Sequence, residues 1–262
     1  MKINDARQKL IDNKSVWIKG LDNYDSIFSL KDFKTITSYQ FSSRTYFMFL
    51  ATYNIVINND LITARNWFFH AALSDLYKAR YHKNGIGNVN SINSAIPSLL
   101  SDDIIIFKSI PNWKNKIFHE ENIKRGVIFY IIKNLIAHDY KTANDLWLKG
   151  KSHPVKKASW YTIERKILRA MIDKDDEKTI EAIMEFLTPE NIEKSLDDVF
   201  VSGYFFNTMT IAYLKLAYHL GMNIDIKHEL VPKELVEFKP LDNYEIKYDF
   251  MKRDDIKDIL DV

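Results

Sequence analysis

The chain has 262 residues, with 37 Lys and Arg against 35 Asp and Glu, a formal net charge of +2. That balance disfavours both a strongly acidic nucleic-acid mimic and a broad basic surface dedicated to nucleic acid. Apolar content of 46% suffices for a core. The low counts of 7 Gly and 6 Pro argue against a loop-rich sandwich or a Gly-dependent nucleotide fold, and the absence of cysteine excludes disulfides, thiolate metal sites and a Cys nucleophile.

Apolar residues recur at spacings of three and four almost throughout, and no run of period-two alternation interrupts them. The spacing predicts a short helix over Ile3–Ile11, then a looser stretch with Trp17, Leu21 and Ile27. A strong helix is expected over Ser43–Ile57, capped by Ser42 or Ser43. The Asn58-Asn59-Asp60 turn starts another over Leu61–Tyr81, with a stripe of Ile62, Phe69, Ala72, Leu73, Leu76 and Ala79. Lys83–Asn88, KNGIGN, is a break.

A short helix at Ile92–Leu100 is interrupted by Pro97, and the apolar run Ile104–Ile110 follows it. Helices are expected over Glu120–Ala137 and Lys141–Leu148, joined by a His138-Asp139 turn. Gly150–Pro154 forms a loop, and helices follow at Val155–Ile172 and Lys178–Leu187. A last long helix spans about Asp198–Leu220 and stops at Gly221. Asn122–Trp147 and Ala158–Leu187 both read as a longer helix, a turn and a shorter helix. The expected architecture is therefore all-α: one domain over residues 1–262, an irregular bundle or repeat-like array of antiparallel helical hairpins.

The polar, amphipathic N-terminus does not read as a signal peptide. The runs Tyr46–Ile57, Val127–Ile136 and Tyr204–Leu220 are each broken by Asn, Lys or Thr, short of the roughly 20 apolar residues of a membrane span. A cytoplasmic protein without a membrane partner is expected.

Residues 221–262 mix two prolines, alternating charges and spaced aromatics, with no plausible strand or amphipathic helix. Such a segment is held by packing on something already folded, so it is expected to be an extended clasp over the helices. Pro232 should open a short helical turn with Leu235 facing inward. Pro240 ends that turn, and Leu241, Tyr244, Tyr248 and Phe250 are the apolar anchors.

Arg65-Asn66-Trp67-Phe68-Phe69-His70 resembles the signature of HEPN ribonucleases, in which the Arg and His act on the RNA 2′-hydroxyl and scissile phosphate. The pair is chemically suitable, since His exchanges protons near neutral pH and Arg holds phosphate bidentately. The alternative is an amphipathic helix with Arg65 on its apolar stripe. His70, roughly 140° away, is then half exposed. The second reading is preferred, and no catalytic residue is assigned.

Other clusters have structural readings. No two of the seven histidines stand four apart, and His119-Glu120-Glu121 diverge around a helix, so no metal site or cofactor is expected. Lys149, Lys151, Lys156, Lys157, Arg165, Lys166 and Arg169 surround Trp160 and Tyr161, a pattern that can bind nucleic acid or an acidic protein surface, though a solvated face is the preferred reading. Trp160, Ile163, Ile167, Ala170 and Met171 follow core spacing, leaving the charges and Glu164 as a solvated face. Asp173, Asp175, Asp176 and Glu177 lie at the positive end of a helix dipole. Asp197-Asp198, Asp254-Asp255, Asp258 and Asp261 read as a cap and a polar end. Lys and Asn are so abundant that single ones are uninformative.

The order Pro232, Glu234-Leu235, Pro240-Leu241, Tyr244, Tyr248-Asp249-Phe250, following a helix that ends in Gly221, resembles the end of the immunity protein 49 family. ARNWFFHAALSDLYKARY is similar to that family's aromatic-containing second helix. The resemblance implies an immunity protein and no enzyme: a helical protein that neutralises a cognate bacterial polymorphic toxin by protein–protein contact, without cofactor or nucleic acid. The tail residues are then structural, with the ribonuclease and a helical-repeat scaffold as alternatives.

Overall fold

The computed structural model describes residues 3–28, 33–81, 92–113, 128–151, 159–195 and 201–252. Twelve α-helices and no strand occur among them, an all-α fold. In chain order these are α1 Ile3–Phe28, α2 Phe33–Tyr53, α3 Leu61–Tyr81, α4 Ile96–Ser101, α5 Ile104–Ser109 and α6 Ile128–Ile136. They continue as α7 Tyr140–Lys151, α8 Ser159–Asp173, α9 Asp176–Met184, α10 Pro189–Ser195, α11 Thr208–His219 and α12 Lys233–Val236.

The first helix is longer than expected. Ala6, Leu10, Trp17 and Leu21 stand four, seven and four apart, and all are buried on one face of a single helix. It lies against α2, where Trp17 stacks on Phe49 with centroids 4.4 Å apart. Gly20 permits this approach, because a Cβ there would lie 2.9 Å from the Tyr46 ring.

Helix α2 begins before Ser43, so neither Ser42 nor Ser43 is its cap. The Ser43 hydroxyl lies 3.2 Å from that of Ser74 on α3 instead. A π-turn over Asn54–Asn58 and left-handed Asn59 reverse the chain, and Asp60 accepts from the Thr63 N–H at 2.9 Å to cap α3. Arg44 pairs with Asp75 at 2.8 Å and locks the resulting hairpin. Burial holds the Asp75 carboxyl above its ordinary value despite that cation.

Helix α3 is the centre of the molecule. Every residue from Ala64 to Tyr77 is buried, so it has no single apolar stripe, and Ile62, expected on one, is 69% exposed. Its neighbours are α2, α4 and the C-terminal tail. Pro97 stands in the first turn of α4 and opens that helix rather than interrupting it. Asp102, in the left-handed region at φ 62°, ends it, and the Asp103 carboxylate caps α5 by accepting from Ile106 N–H at 2.7 Å.

The second half stacks hairpins. His138-Asp139 turns α6 into α7, as expected, while α9 starts at Asp176 rather than Lys178, with Asp175 as its cap. The break at Lys83–Asn88 and the start expected for α6 at Glu120 lie outside the described residues. So do Asp197-Asp198 and residues beyond 252. The loop expected at Gly150 does not begin there, because α7 runs to Lys151.

The long helix expected over Asp198–Leu220 is shorter. Asn207 accepts from Thr210 N–H at 2.9 Å and caps α11, while Val201–Tyr204 is a separate 3₁₀ turn. Gly221, at φ 77°, closes α11 with bonds from Gly221 N–H to Tyr218 O and Met222 N–H to Ala217 O. Thereafter the chain is extended apart from short turns, and crosses α3 and α4. One buried cluster runs from Ala6 to Met251, taking in both halves and the tail.

Candidate functional site

Arg65, Asn66 and His70 project from α3 toward the tail and hold it. Arg65 Nε donates to Asp102 Oδ2 at 2.9 Å, and a terminal nitrogen donates to the Glu234 carbonyl at 2.9 Å. Asn66 meets the backbone of Glu245 in both directions. His70 Nδ1 lies 2.7 Å from the Asn66 carbonyl, and Nε2 accepts from Lys247 N–H at 3.1 Å. These partners require the neutral tautomer with the proton on Nδ1.

His70 is 0% exposed, not half exposed as the spacing suggested. The tail covers the side of α3 that one apolar stripe would leave in solvent. Burial, aided by the Lys247 charge, lowers its pKa to about 4.

Asp102 is the hub beside this clamp. Its fully buried carboxylate pairs with Arg65 and Lys215 and accepts from Lys239 N–H at 3.2 Å. Lys215, from α11, also reaches the Glu237 carbonyl at 3.2 Å. Burial lowers its pKa, against the pull of Asp102. One carboxylate thus joins α3, α4, α11 and the tail. None of these pairings was read from sequence, although Arg65 itself was singled out there: Arg65 and Asp102 stand 37 apart, Lys215 and Asp102 113 apart.

Of the expected anchors, Tyr244 and Tyr248 pack against the core, whereas Leu241 is not among the residues packed on it. Pro232 precedes α12, Leu235 is buried, and Glu234 contributes its carbonyl while its side chain is exposed. Pro240 is exposed at the following bend, and Leu241 N–H donates to the Tyr244 hydroxyl. That hydroxyl donates onward to Ser101 O at 2.7 Å, and the Tyr244 ring stacks on Phe69 at 4.7 Å. Tyr248 packs by Phe47 and Trp67. Burial pushes both phenols up to about 12. Asp249 is exposed and pairs with Lys252, while the Phe250 side chain lies outside the described residues. Further on, Tyr77 donates to Met251 O at 2.7 Å.

The basic stretch on α8 forms a different site. Ile163, Ile167, Ala170 and Met171 are core, as their spacing indicated, while the Trp160 side chain lies outside the described residues. Glu164 does not join a solvated face. It is 1% exposed and accepts from Ile92 N–H and the Tyr213 hydroxyl, both at 2.8 Å.

Nor are the cations wholly solvated. Arg165 lies over Trp147, 4.6 Å from the ring centroid, and 5.8 Å from that of Tyr161. Arg165 and Trp147 bond reciprocally, indole N–H to Arg165 O and guanidinium to Trp147 O. Arg169 is 5.1 Å from the Trp147 centroid and pairs with Asp173. These side chains wall a groove of about 560 Å³ between α7, α8 and α9. Its lining also includes Gly150, Ala170 and Ala182.

No group of three or more His, Asp or Glu side chains able to hold a metal occurs among the described residues, and no helix there is long and apolar enough to cross a membrane. Comparison with protein families, with curated proteins and with solved structures finds no match.

Proposed function

We propose that the protein is a cytoplasmic immunity protein that binds a cognate toxin protein and neutralises it by contact. The observation that carries this reading is the open α7–α8–α9 groove, built from Trp, Tyr and Arg, residue types that concentrate binding energy in protein interfaces. The tail's resemblance to the immunity protein 49 family supplies the kind of partner. Arg65 and His70 are spent on fold closure, with His70 buried and both ring nitrogens engaged, which speaks against their use on RNA.

The test is survival of cells expressing the gene adjacent to this one, with and without this protein. Rescue by the wild type supports the reading. A toxin that kills equally in the presence of soluble, folded protein rejects it. Binding without rescue points to a scaffold, and RNA cleavage lost in His70→Ala points to a ribonuclease.

A further inference from the structure

Most charges along the groove are neutralised from within. Lys166 pairs with Glu185 at 2.7 Å, Arg169 with Asp173, and Lys178 with Asp175 at 2.6 Å. The remaining acid of the lining, Glu181, adds to the field that raises Lys178. Arg165 is the exception. Its guanidinium has aromatic contacts and the Trp147 carbonyl but no carboxylate partner among the described residues, and one terminal nitrogen is buried without an acceptor.

A guanidinium packed on a ring and bonded to a carbonyl has its planar fork already oriented, so little freedom is lost when it takes a second acceptor. The Arg165 N–H that lacks an acceptor is itself buried, so its desolvation cost is relieved only when the guanidinium turns to meet an anion in the groove. The rings and the alanines beside it need apolar atoms, which a bare inorganic anion lacks. The volume lies within the ~300–1,000 Å³ range of sites that enclose a compact ligand, so a short peptide segment fits where a folded domain does not.

We infer that the groove receives a segment of the partner protein carrying an Asp or Glu beside an apolar residue. Arg165 takes the carboxylate, and Trp147 and Tyr161 take the apolar neighbour. This rests on the reading that the protein works by binding another protein, and it assigns the surface and the chemistry of that partner.

The probe is a fluorescein-labelled peptide of repeating Gly-Glu-Leu, with Gly-Gln-Leu as its uncharged match, titrated by anisotropy against the full chain. Saturable binding of the Glu peptide is expected, weakening with salt and falling about tenfold in Arg165→Gln. Arg165→Lys, which keeps the charge but not the fork, should fall between and serves if Arg165→Gln misfolds. No saturable binding by wild type up to millimolar peptide overturns the inference. So does equal binding of the Gln peptide, or of the Glu peptide by both variants. Single-stranded oligouridylate whose binding depends on Arg165 overturns it in favour of nucleic acid. Toxin rescue that survives Arg165→Glu removes this groove while leaving the immunity reading intact. Peptide binding without rescue does the reverse.

Discussion

Asn66 pairs with the backbone of Glu245 through both ends of its amide. Its Nδ2 donates to Glu245 O at 3.1 Å, and its Oδ1 accepts from Glu245 N–H at 3.0 Å. A side chain on a helix thereby supplies the donor and acceptor that a neighbouring strand would supply. The extended tail, which has no sheet to join, satisfies its backbone on the buried face of α3.

Replacement of Asn66 tests this pairing. Asn66→Asp keeps the acceptor but sets a carboxylate against the Glu245 carbonyl, and Asn66→Leu removes both bonds. Each should cost about 1–3 kcal/mol, the penalty for buried polar groups left unsatisfied. Urea unfolding gives the value. A change below about 0.5 kcal/mol, typical of neutral surface substitutions, would mean that the tail contributes little to closure.

Asp102 should be the more sensitive position. Asp102→Asn leaves Arg65 and Lys215 buried without their carboxylate, which costs about 3–5 kcal/mol in comparable settings. Lys215→Met should cost less, because Asp102 keeps Arg65 and a long apolar chain fills the space. The ranking is the check: a Lys215→Met protein less stable than Asp102→Asn in the same titration would contradict a carboxylate hub.

The longer helices were legible because they depend on local spacing, whereas the short α5 and α10 were not expected as helices. Asn58-Asn59-Asp60 placed the start of α3 at Leu61, and the acidic cluster Asp173–Glu177 marked the start of α9 to within two residues. The split before α11 was missed because Tyr204, Phe205 and Phe206 continue a helical apolar pattern across Asn207, whose capping bond is invisible to periodicity. The clamp was half legible. The prolines and aromatics marked the tail as a clasp, and Tyr244, Tyr248 and Leu235 do pack inward. Its polar half was not, since Asn66 and Glu245 stand 179 residues apart and Asn was discounted for abundance. His70 was misplaced for a related reason: angular reasoning on one helix assumes one buried face, whereas α3 is covered on all sides.

His70 makes stability depend on pH in a definite direction. Its pKa is about 4 in the folded protein against 6.5 for the free side chain, so between those values the unfolded chain binds a proton that the native state does not. Stability is fully present above pH about 6.5 and falls as pH drops toward about 4, by up to on the order of 3 kcal/mol. Protonation at Nε2 also abolishes the acceptor for Lys247 N–H. His219 shifts the same way, through burial and the Lys215 charge, while Asp75 and Asp103, raised by burial, oppose it. The measure is therefore the difference between wild type and His70→Gln, which keeps an acceptor but does not titrate. A wild-type slope that persists unchanged in the variant would place the dependence elsewhere.

Deletion of residues 241–262 should cost folding before it costs binding. The deletion strips the partners of Asn66, His70 and Tyr77 and the rings that cover Phe69, Phe47 and Trp67. It opens the central helix rather than trimming an edge, because α3 has no exposed face between Ala64 and Tyr77 to absorb the loss. With about 2–4 °C per kcal/mol for a chain of this size, a drop in Tm on the order of 10–20 °C is expected by circular dichroism, with loss of cooperativity if α3 loosens altogether. None of the residues lining the Arg165 groove belongs to the deleted segment, so any truncated protein that stays folded should retain the groove's ligand. A truncation that melts like the full chain yet has lost its partner would instead make the tail itself the contact surface.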